Sequence, residues 1–325
     1  MSIAKTASLR QVATFRTVAR LGSVSMAAEE LHLSQSAVSI QISGLEAAAG
    51  APLVLRTGRG VRLTEAGELL LNYADRLLAL WVETSDEMAT FLGAFSGTLR
   101  IGAVTTAEYW LPRFLVAFVN QNSRVKIKLH VANREEIVRS LAAQEIDIAV
   151  MGQPPEELAV VSSLIGANPM AFVAAPGHPL ANARGLSLAQ VALQRLLVRE
   201  RGSGTRAAVE RHFKQAGERL RVGSELSSNE AIKQMCTAGF GPAYLSLHTC
   251  VLELEAGLLK ILPLPHNPVE HGWHVVHVAT RQLPQVAVAF EQFMGDAAQG
   301  KALRAMWQHL LPAKPRKRRA VGRTG

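Results

Sequence analysis

Three short amphipathic segments fill most of the first fifty residues, and the breaks between them constrain the fold most strongly. Apolar side chains recur at helical spacing over residues 9–21, and Gly22 ends that segment. A second segment spans residues 26–31, and Ser34 is a good N-cap for a third segment that Gly50 terminates. Only residues 32–34 separate the last two segments. This arrangement predicts a helix-turn-helix.

The third helix has a polar outer face, and a short hairpin is expected after it. Gln35 stands at the start of the helix, where its amide can pair with adenine in the major groove. Extended segments at 53–56 and 60–63 flank a glycine-containing turn and predict a β-wing, whose arginines would neutralise backbone phosphates. A structural three-helix bundle with a solvated polar face is the alternative. The candidate DNA-contacting residues are Ser34, Gln35, Ser36, Ser39, Gln41, Arg56, Arg59, Arg62 and Thr64.

One long amphipathic helix is predicted from Thr64 to Leu92. Its apolar stripe recurs at intervals of three and four residues through Leu70, Tyr73 and Leu77 and continues to Phe91. Because little else in the neighbouring sequence can cover such a stripe, it predicts that the helices of two chains pair. Packing of this helix on its own domain is the alternative.

The rest of the chain alternates strands and helices. A strand over 99–104 precedes a helix over 109–120, and the alternation continues to a helix over 285–294. This pattern indicates an α/β fold with a largely parallel sheet. Taken by themselves, these roughly 200 residues can form either one large domain or two lobes.

The charge of the chain favours a polyanionic partner. The formal net charge is +9, and cations concentrate before residue 63 and after residue 313. For the C-terminal cations alone, a disordered solubilising tail is the alternative. No apolar stretch of about eighteen residues and no secretory signal is present, so no membrane association is expected. With two cysteines, Cys236 and Cys250, the chain is expected to be cytoplasmic.

Several segments carry a resemblance to a known family. In the N-terminal part they are residues 27–39, 41–42, 45–46, 50, 52–53, 56, 58–59 and 63–67. These segments resemble the DNA-binding region of LysR-type transcriptional regulators. Residues 105–109, 133–135, 151–156, 168–169, 199–206 and 228–234 are similar to the regulators of carbon-fixation operons within that family. The family often has proline at position 36 and arginine at position 40, where this chain has Ser36 and Ile40.

The resemblance implies an organisation that the residue pattern leaves open. It implies an all-α winged helix-turn-helix domain, a long linker helix and a two-lobed α/β effector domain of the type 2 periplasmic-binding-protein kind. The expected bounds are 1–63 for the DNA-binding domain, 64–93 for the linker, 94–167 with 269–298 for lobe I, 168–268 for lobe II and 299–325 for a basic C-terminal tail.

The resemblance also implies partners. They are double-stranded operator DNA and a second copy of the chain, as a homodimer that assembles into a homotetramer. The implied effector is a small anionic metabolite, namely a sugar phosphate, phosphoenolpyruvate or a reduced nicotinamide nucleotide such as NADPH. Control of RuBisCO genes would follow.

Two kinds of segment suit an anionic effector on chemical grounds. Thr105 and Thr106 follow a strand, where hydroxyls and free amides can hold a carboxylate or phosphate. The loop 199–206 offers glycines for close approach and arginines for charge. The alternative is that its glycines only shape a turn and its arginines lie on the surface. The candidate effector-binding residues are Thr105, Thr106, Asn133, Arg134, Gln153, Arg199, Gly202, Ser203, Gly204, Thr205, Asn229 and Lys233.

Signatures of catalysis and metal binding are scarce. The sequence 202–204 lacks the spacing of a nucleophile elbow, and no P-loop or dinucleotide fingerprint is present. On one strand, His271 and His277 would share a face and His274 would lie on the other, so they cannot converge on a metal. No catalytic residue, metal or cofactor is therefore expected. The rival functions are a solute-binding or enzymatic α/β protein fused to a DNA-binding module, and an architectural DNA-binding protein without an effector.

Overall fold

The computed structural model describes residues 3–57, 60–91 and 96–311. Arg59 at the tip of the expected wing and residues 312–325 of the expected basic tail lie outside these ranges, as does Leu92 at the end of the expected linker helix. None of the helices in the described ranges is long and apolar enough to cross a membrane.

The N-terminal part folds as the predicted helix-turn-helix followed by a hairpin. Its elements are α1 (Ile3–Thr6), α2 (Leu9–Leu21), α3 (Val24–Glu30), α4 (Gln35–Ala49), β1 (Val54–Thr57) and β2 (Gly60–Leu63). Ser23 caps α3 and Ser34 caps α4, while Gly50 takes the left-handed conformation, with φ of 71°, that ends α4. Phe15 and Leu45 are fully buried between the helices. Because caps and breaks are local signals, the sequence predicts this part of the fold well.

The linker is a single helix, α5 (Glu65–Phe91), which Thr64 caps by accepting a hydrogen bond from the Gly67 amide at 3.0 Å. Its inner side packs against the N-terminal core through Leu70. Its other side leaves large apolar side chains in solvent. These are Leu69, Tyr73, Leu77, Leu80, Trp81, Val82 and Met88.

The remaining chain forms one nine-stranded sheet with helices on both faces. Its strands are β3 (Gly97–Val104), β4 (Val125–Ala132), β5 (Ile148–Met151), β6 (Val160–Ala174), β7 (Leu196–Arg199), β8 (Val222–Leu226), β9 (Ala243–Ser246), β10 (Lys260–Ile261) and β11 (Val269–Val278). Its helices are α6 (Leu111–Gln121), α7 (Arg134–Ala142), α8 (Leu188–Ala192), α9 (Gly204–Gln215), α10 (Asn229–Thr237), α11 (Val251–Glu255), α12 (Gln285–Gly295) and α13 (Ala297–Gln308). The strand order is β4-β3-β5-β11-β6-β9-β7-β8, with β10 beside β6.

The sheet is mixed, whereas the alternation of elements predicts a largely parallel one. Strand β3 pairs in parallel with β4 and β5, and β7 pairs in parallel with β8 and β9. Between these two parallel groups, β11 and β6 run antiparallel to each other and to their other neighbours. The pattern predicts only residues 170–174 of β6, because residues 160–167 are mostly exposed or half-buried and lack a continuous apolar run.

Two lobes are defined by their hydrophobic cores. The core of the first lobe contains Leu99, Trp110 and Phe290. The second lobe packs Phe172 and Phe213 on one face of the sheet and places Ile232, with its neighbours, in a separate cluster. The chain passes between the lobes in β6 and in β11. The expected lobe boundaries therefore fall inside β6 and at the start of β11.

Residues 299–308 of the expected tail are helical, which corrects the assignment of 299–325 to a tail. Asp296 caps α13 by accepting a hydrogen bond from the Ala298 amide at 2.8 Å. Leu303 is fully buried in the first-lobe core, and Trp307 packs into the second. The cations Lys301 and Arg304 interrupt the apolar spacing, so the sequence pattern alone does not separate this helix from the basic segment that follows.

Candidate functional site

The outer face of α4 carries most of the DNA-contact candidates. Gln35 and Ser36 are exposed, while Val38 on the opposite side is buried. Ser34 is exposed too, but its hydroxyl caps the helix by accepting a hydrogen bond from the Ala37 amide at 3.1 Å. Ile40 has 72 % of its surface exposed, an unusual position for a large apolar side chain in a monomer. This face therefore combines an amide and a hydroxyl with an apolar group.

Two other candidates are already engaged inside the protein. Gln41 Oε1 accepts a hydrogen bond from the Thr14 hydroxyl at 2.5 Å, which leaves its amide nitrogen and one lone pair of Oε1 for other partners. The Thr64 hydroxyl donates to the Pro52 carbonyl at 2.7 Å and also caps α5. Arg62 is exposed on β2, and Ser39 is half-buried on α4. The Arg56 side chain, like Arg59, lies outside the described part of the chain.

A cleft between the two lobes brings distant segments of the sequence together. It encloses about 570 Å³ of space between the lobes, counting its open mouth. Its walls come largely from the segments that follow β3, β4 and β5 in the first lobe and β7 in the second, because the carboxyl ends of the parallel strands of each lobe face the cleft. The lining residues are Val104, Thr105, Thr106, Asn133, Arg134, Met151, Gly152, Gln153, Asn168, Met170, Ser203, Gly204, Thr205, Ala208, Arg211 and His271.

Hydroxyl groups and helix N-termini dominate one side of the cleft. Thr106, Ser203 and Thr205 are each less than a tenth exposed, and no hydrogen bond from their hydroxyls to another described residue is present. Ser203 occupies the N-cap position of α9 without capping it through its side chain. The first amides of α9 have no partner within the helix, and the helix dipole favours negative charge there. This wall can therefore hold an anion.

The charges in the lining have one sign. Arg134, Arg211 and His271 line the cleft, and no acidic side chain is among the described lining residues. Arg134 is partly engaged, since its Nη1 donates to Glu157 at 3.2 Å. Burial lowers the pKa of His271, and the charges of Arg211 and His212 lower it further. His271 is consequently a neutral imidazole near pH 7 when the cleft is empty.

Arg199 lies behind the cleft wall, although the sequence predicts it as an effector ligand. It is 1 % exposed, and each of its donor nitrogens has an acceptor inside the protein. Nε and Nη2 donate to Glu200 at 2.8 and 3.0 Å, while Nη1 donates to Thr105 Oγ1 at 2.9 Å and to Asn229 Oδ1 at 2.6 Å. The same contact takes Asn229 out of the lining.

Gly202 and Lys233 also lie outside the lining. Gly202 has φ of 85°, and a Cβ atom there would come within 2.5 Å of Glu135 Oε2, so the chain conformation itself requires glycine. The Lys233 ammonium lies 2.8 Å from both Glu230 Oε1 and Glu253 Oε1. These two carboxylates bind the ammonium group outside the cleft.

Several lining residues escape prediction from the sequence. Asn168 and His271 face each other across the β6–β11 pairing, and Arg211 and Ala208 project from α9. The spacing of His271 with its neighbouring histidines argues against a metal site and gives no sign that His271 lines a cleft. Strand pairing between residues about a hundred positions apart leaves no trace in local spacing.

The chain matches two protein families over most of its length. Residues 9–68 match the family described as bacterial regulatory helix-turn-helix protein, lysR family, and residues 93–299 match the LysR substrate binding domain. It is 39 % identical over 287 residues to the RuBisCO operon transcriptional regulator of Allochromatium vinosum, covering 88 % of this chain and 95 % of that protein. It is 36 % identical over 290 residues to the transcriptional activator CmpR of Synechocystis, covering 89 % and 95 %.

Solved structures extend these similarities. The regulatory domain of Synechocystis CcmR in complex with 2-PG aligns with a TM-score of 0.60 and 34 % identity, over 63 % of this chain and 98 % of that one. Full-length CbnR bound to its target DNA aligns with a TM-score of 0.66 and 23 % identity, over 88 % and 98 %. The second similarity extends over the helix-turn-helix part and the two-lobed part, and supports the fold of the whole chain.

Proposed function

Because the chain belongs to the LysR family of transcriptional regulators, we propose that it controls carbon-fixation genes in response to a small phosphorylated acid bound in the interlobe cleft. The named relatives support the target genes, since two of them are named as transcriptional regulators of RuBisCO operons. The relatives are named as transcriptional regulators, and this chain is proposed to act in the same way.

One observation carries the effector proposal. The cleft presents free hydroxyls of Thr106, Ser203 and Thr205 beside an open helix N-terminus, with cations on its walls and no carboxylate in its described lining. A phosphoryl group fits the N-terminus of α9, because its three oxygens accept hydrogen bonds from amides and hydroxyls. A carboxylate at the other end of the ligand would reach Thr105. The 2-PG complex of the CcmR domain supports this class of ligand.

DNA binding is assigned to α4 and the hairpin. The exposed face of α4 would lie in the major groove, with Gln35 on base edges and Arg62 on phosphates. The apolar surface of α5 would pair two chains, so that two DNA-binding domains meet two half-sites. A tetramer made from two such pairs is part of the proposal.

The mechanism couples the cleft to the DNA-binding domains. A ligand that contacts both lobes stabilises one arrangement of the lobes over the others, and the equilibrium shifts toward that arrangement. Because α5 joins the lobes to the DNA-binding domain, the angle between paired DNA-binding domains changes with it. That angle sets the bend imposed on the operator.

Titration calorimetry with 2-phosphoglycolate, phosphoenolpyruvate, a sugar bisphosphate and NADPH tests the effector. Thr106→Val keeps the shape of the side chain and removes a hydroxyl, so it should weaken binding by about 10- to 100-fold. Thr237→Val, on α10 and away from the cleft lining, is the matched control. If none of the four compounds binds, or if Thr106→Val binds at full strength, the phosphorylated-acid proposal is wrong.

Promoter binding tests the target. Footprinting on DNA upstream of carbon-fixation operons should show protection that the bound effector lengthens or shortens. Absence of protection there, together with specific protection at unrelated promoters, would assign the protein to other genes.

A further inference from the structure

We propose that Arg199 occupies one lone pair of the Thr105 hydroxyl and so leaves the proton of that hydroxyl for the cleft, where this position favours an anion or another hydrogen-bond acceptor. The inference rests on the proposed function and deepens it, because it names the residue that determines charge selection at one wall.

The contact joins the two lobes. Arg199 ends β7 in the second lobe, and Thr105 follows β3 in the first. Their side chains meet with Arg199 Nη1 at 2.9 Å from Thr105 Oγ1, although the residues are 94 positions apart. Arg199 is 1 % exposed, so no solvent competes for the contact.

A guanidinium has donors and no acceptor, and a hydroxyl has one proton and two lone pairs. Thr105 Oγ1 must therefore be the acceptor in this pair, and its proton points elsewhere. No acceptor for that proton is present among the residues that the structure describes. Because Thr105 lines the cleft, the proton is available to a ligand there.

Two neighbours hold Arg199 in this orientation. Glu200 accepts from Nε and Nη2, which fixes the plane of the guanidinium and offsets its charge. Asn229 Oδ1 accepts the second bond from Nη1 at 2.6 Å. With its charge offset, Arg199 acts on the ligand through the Thr105 hydroxyl and not as a distant charge.

A ligand group that can only accept suits this wall. A carboxylate or phosphoryl oxygen beside Thr105 would gain a charge-assisted hydrogen bond. A group that can only donate would have just the remaining lone pair of Oγ1, beside the Arg199 guanidinium, and would leave the Thr105 proton without an acceptor. Arg199 is thus a positioning residue for effector recognition, and it does not touch the effector itself.

Calorimetry with 2-phosphoglycolate on four variants tests the inference. Thr105→Ser should bind within about threefold of the wild type, and Thr105→Val should bind about 10- to 100-fold more weakly, because only serine keeps the donor. Arg199→Lys should also weaken binding. In the double variant, Arg199→Lys should add no loss to that of Thr105→Val, because its effect passes through the hydroxyl.

Controls separate the possible outcomes. Arg201→Lys changes an exposed arginine nearby and should leave affinity and thermal midpoint unchanged. Additive losses in the double variant, or full-strength binding by Thr105→Val, would overturn the role of Arg199. If Arg199→Lys does not fold, the Thr105 pair alone decides the matter. If the wild type does not bind 2-phosphoglycolate, the series is run with whichever of phosphoenolpyruvate, the sugar bisphosphate and NADPH binds, and binding of none of the four would instead contradict the proposed function.

Discussion

The Tyr109 hydroxyl donates a hydrogen bond to Glu230 Oε1 at 2.6 Å and so ties the first lobe to α10 of the second. The Lys233 ammonium lies 4.9 Å from the centre of the Tyr109 ring and also contacts Glu230. Burial raises the pKa of Tyr109, and its hydrogen bond to Glu230 raises it further. The phenol therefore stays protonated and keeps its role as donor throughout the physiological pH range.

Tyr109→Phe keeps the ring over Lys233 and removes only this hydrogen bond. We expect the free energy of unfolding to fall by about 0.5–1 kcal/mol, at the low end for a hydrogen bond because Glu230 is more than half exposed. Urea unfolding measures the change. Tyr73→Phe, an exposed tyrosine on α5, is the control, and equal effects of the two substitutions would contradict a specific interlobe contact.

The cleft shows which site residues a sequence can predict. Thr106 and Ser203 are predictable because each stands at the start of a helical segment, and that relationship is local. Arg199 and Lys233 are predicted as ligands from their charge alone. Their acceptors are partly remote in the chain, as Thr105 is from Arg199, so only the folded arrangement shows that they are satisfied internally.

The fold likewise has features that local sequence predicts and features that depend on residues far apart in the chain. Capping residues predict the bounds of α2 and α4 closely, because caps act within one turn. The antiparallel course of β6 and β11 depends on pairing between residues far apart in the chain, and alternation of strands and helices does not specify its direction. The mixed sheet therefore becomes visible only in the structure.

Ile40 should read a thymine methyl group. It is 72 % exposed on the face of α4 that carries Ser36, one helical turn earlier. Ile40→Ala should weaken operator binding by about 1–2 kcal/mol, from lost apolar contact. Replacing operator thymines with deoxyuridine should weaken the wild type and leave the variant unchanged. Leu252→Ala, at an exposed leucine of α11, is the control, and equal sensitivity of both proteins to deoxyuridine would refute the contact.

Leu80→Glu should dissociate paired chains. Leu80 is 61 % exposed on α5, and a buried carboxylate in a helix pair would have no partner charge. Light scattering should show a lower mass than that of the wild type, and operator binding should be lost while circular dichroism stays unchanged. Leu193→Glu, at an exposed leucine of the second lobe, should leave the mass unchanged. An unaltered mass for Leu80→Glu would rule out pairing through α5.

Effector binding should strengthen as the pH falls from about 8 to about 6. Burial lowers the pKa of His271, with Arg211 and His212 adding to the effect, so the empty cleft holds a neutral imidazole. Tyr244, whose hydroxyl is 3.5 Å from His271 Nε2, is neutral in this range because burial raises its pKa. An anion would raise the pKa of His271 and draw in a proton. Calorimetry in two buffers measures the proton uptake on binding, and part of that uptake comes from protonation of the ligand itself. His271→Gln should remove the remaining part. Uptake identical in the wild type and the variant would exclude His271.

Stability should fall in mild acid because of His248. Burial lowers its pKa from 6.5 to about 4, so the unfolded chain binds a proton more readily than the folded protein. The free energy of unfolding should therefore fall as the pH drops from 6.5 to about 4, by on the order of 3 kcal/mol in total. Urea unfolding of His248→Phe should show a shallower pH dependence between these limits. His130→Gln, at an exposed histidine, is the control and should keep the wild-type dependence of stability on pH. If His248→Phe also keeps it, His248 is not the group responsible.

The two lobes are joined by a pair of hydrogen-bonded strands and not by free loops. Strands β6 and β11 pair along their length, with a register shift between Trp273 and His274, and α13 sets Leu303 in one core and Trp307 in the other. We expect such a junction to resist hinging apart and to yield by torsion about the strand axis. Helix α5 has 27 residues and is therefore a rod of about 40 Å. Tilting that rod by roughly 5° about one end moves its other end by about 3.5 Å, which is the scale of one base-pair step. A slight twist at the sheet is therefore enough to shift the register of a DNA-binding domain on its operator.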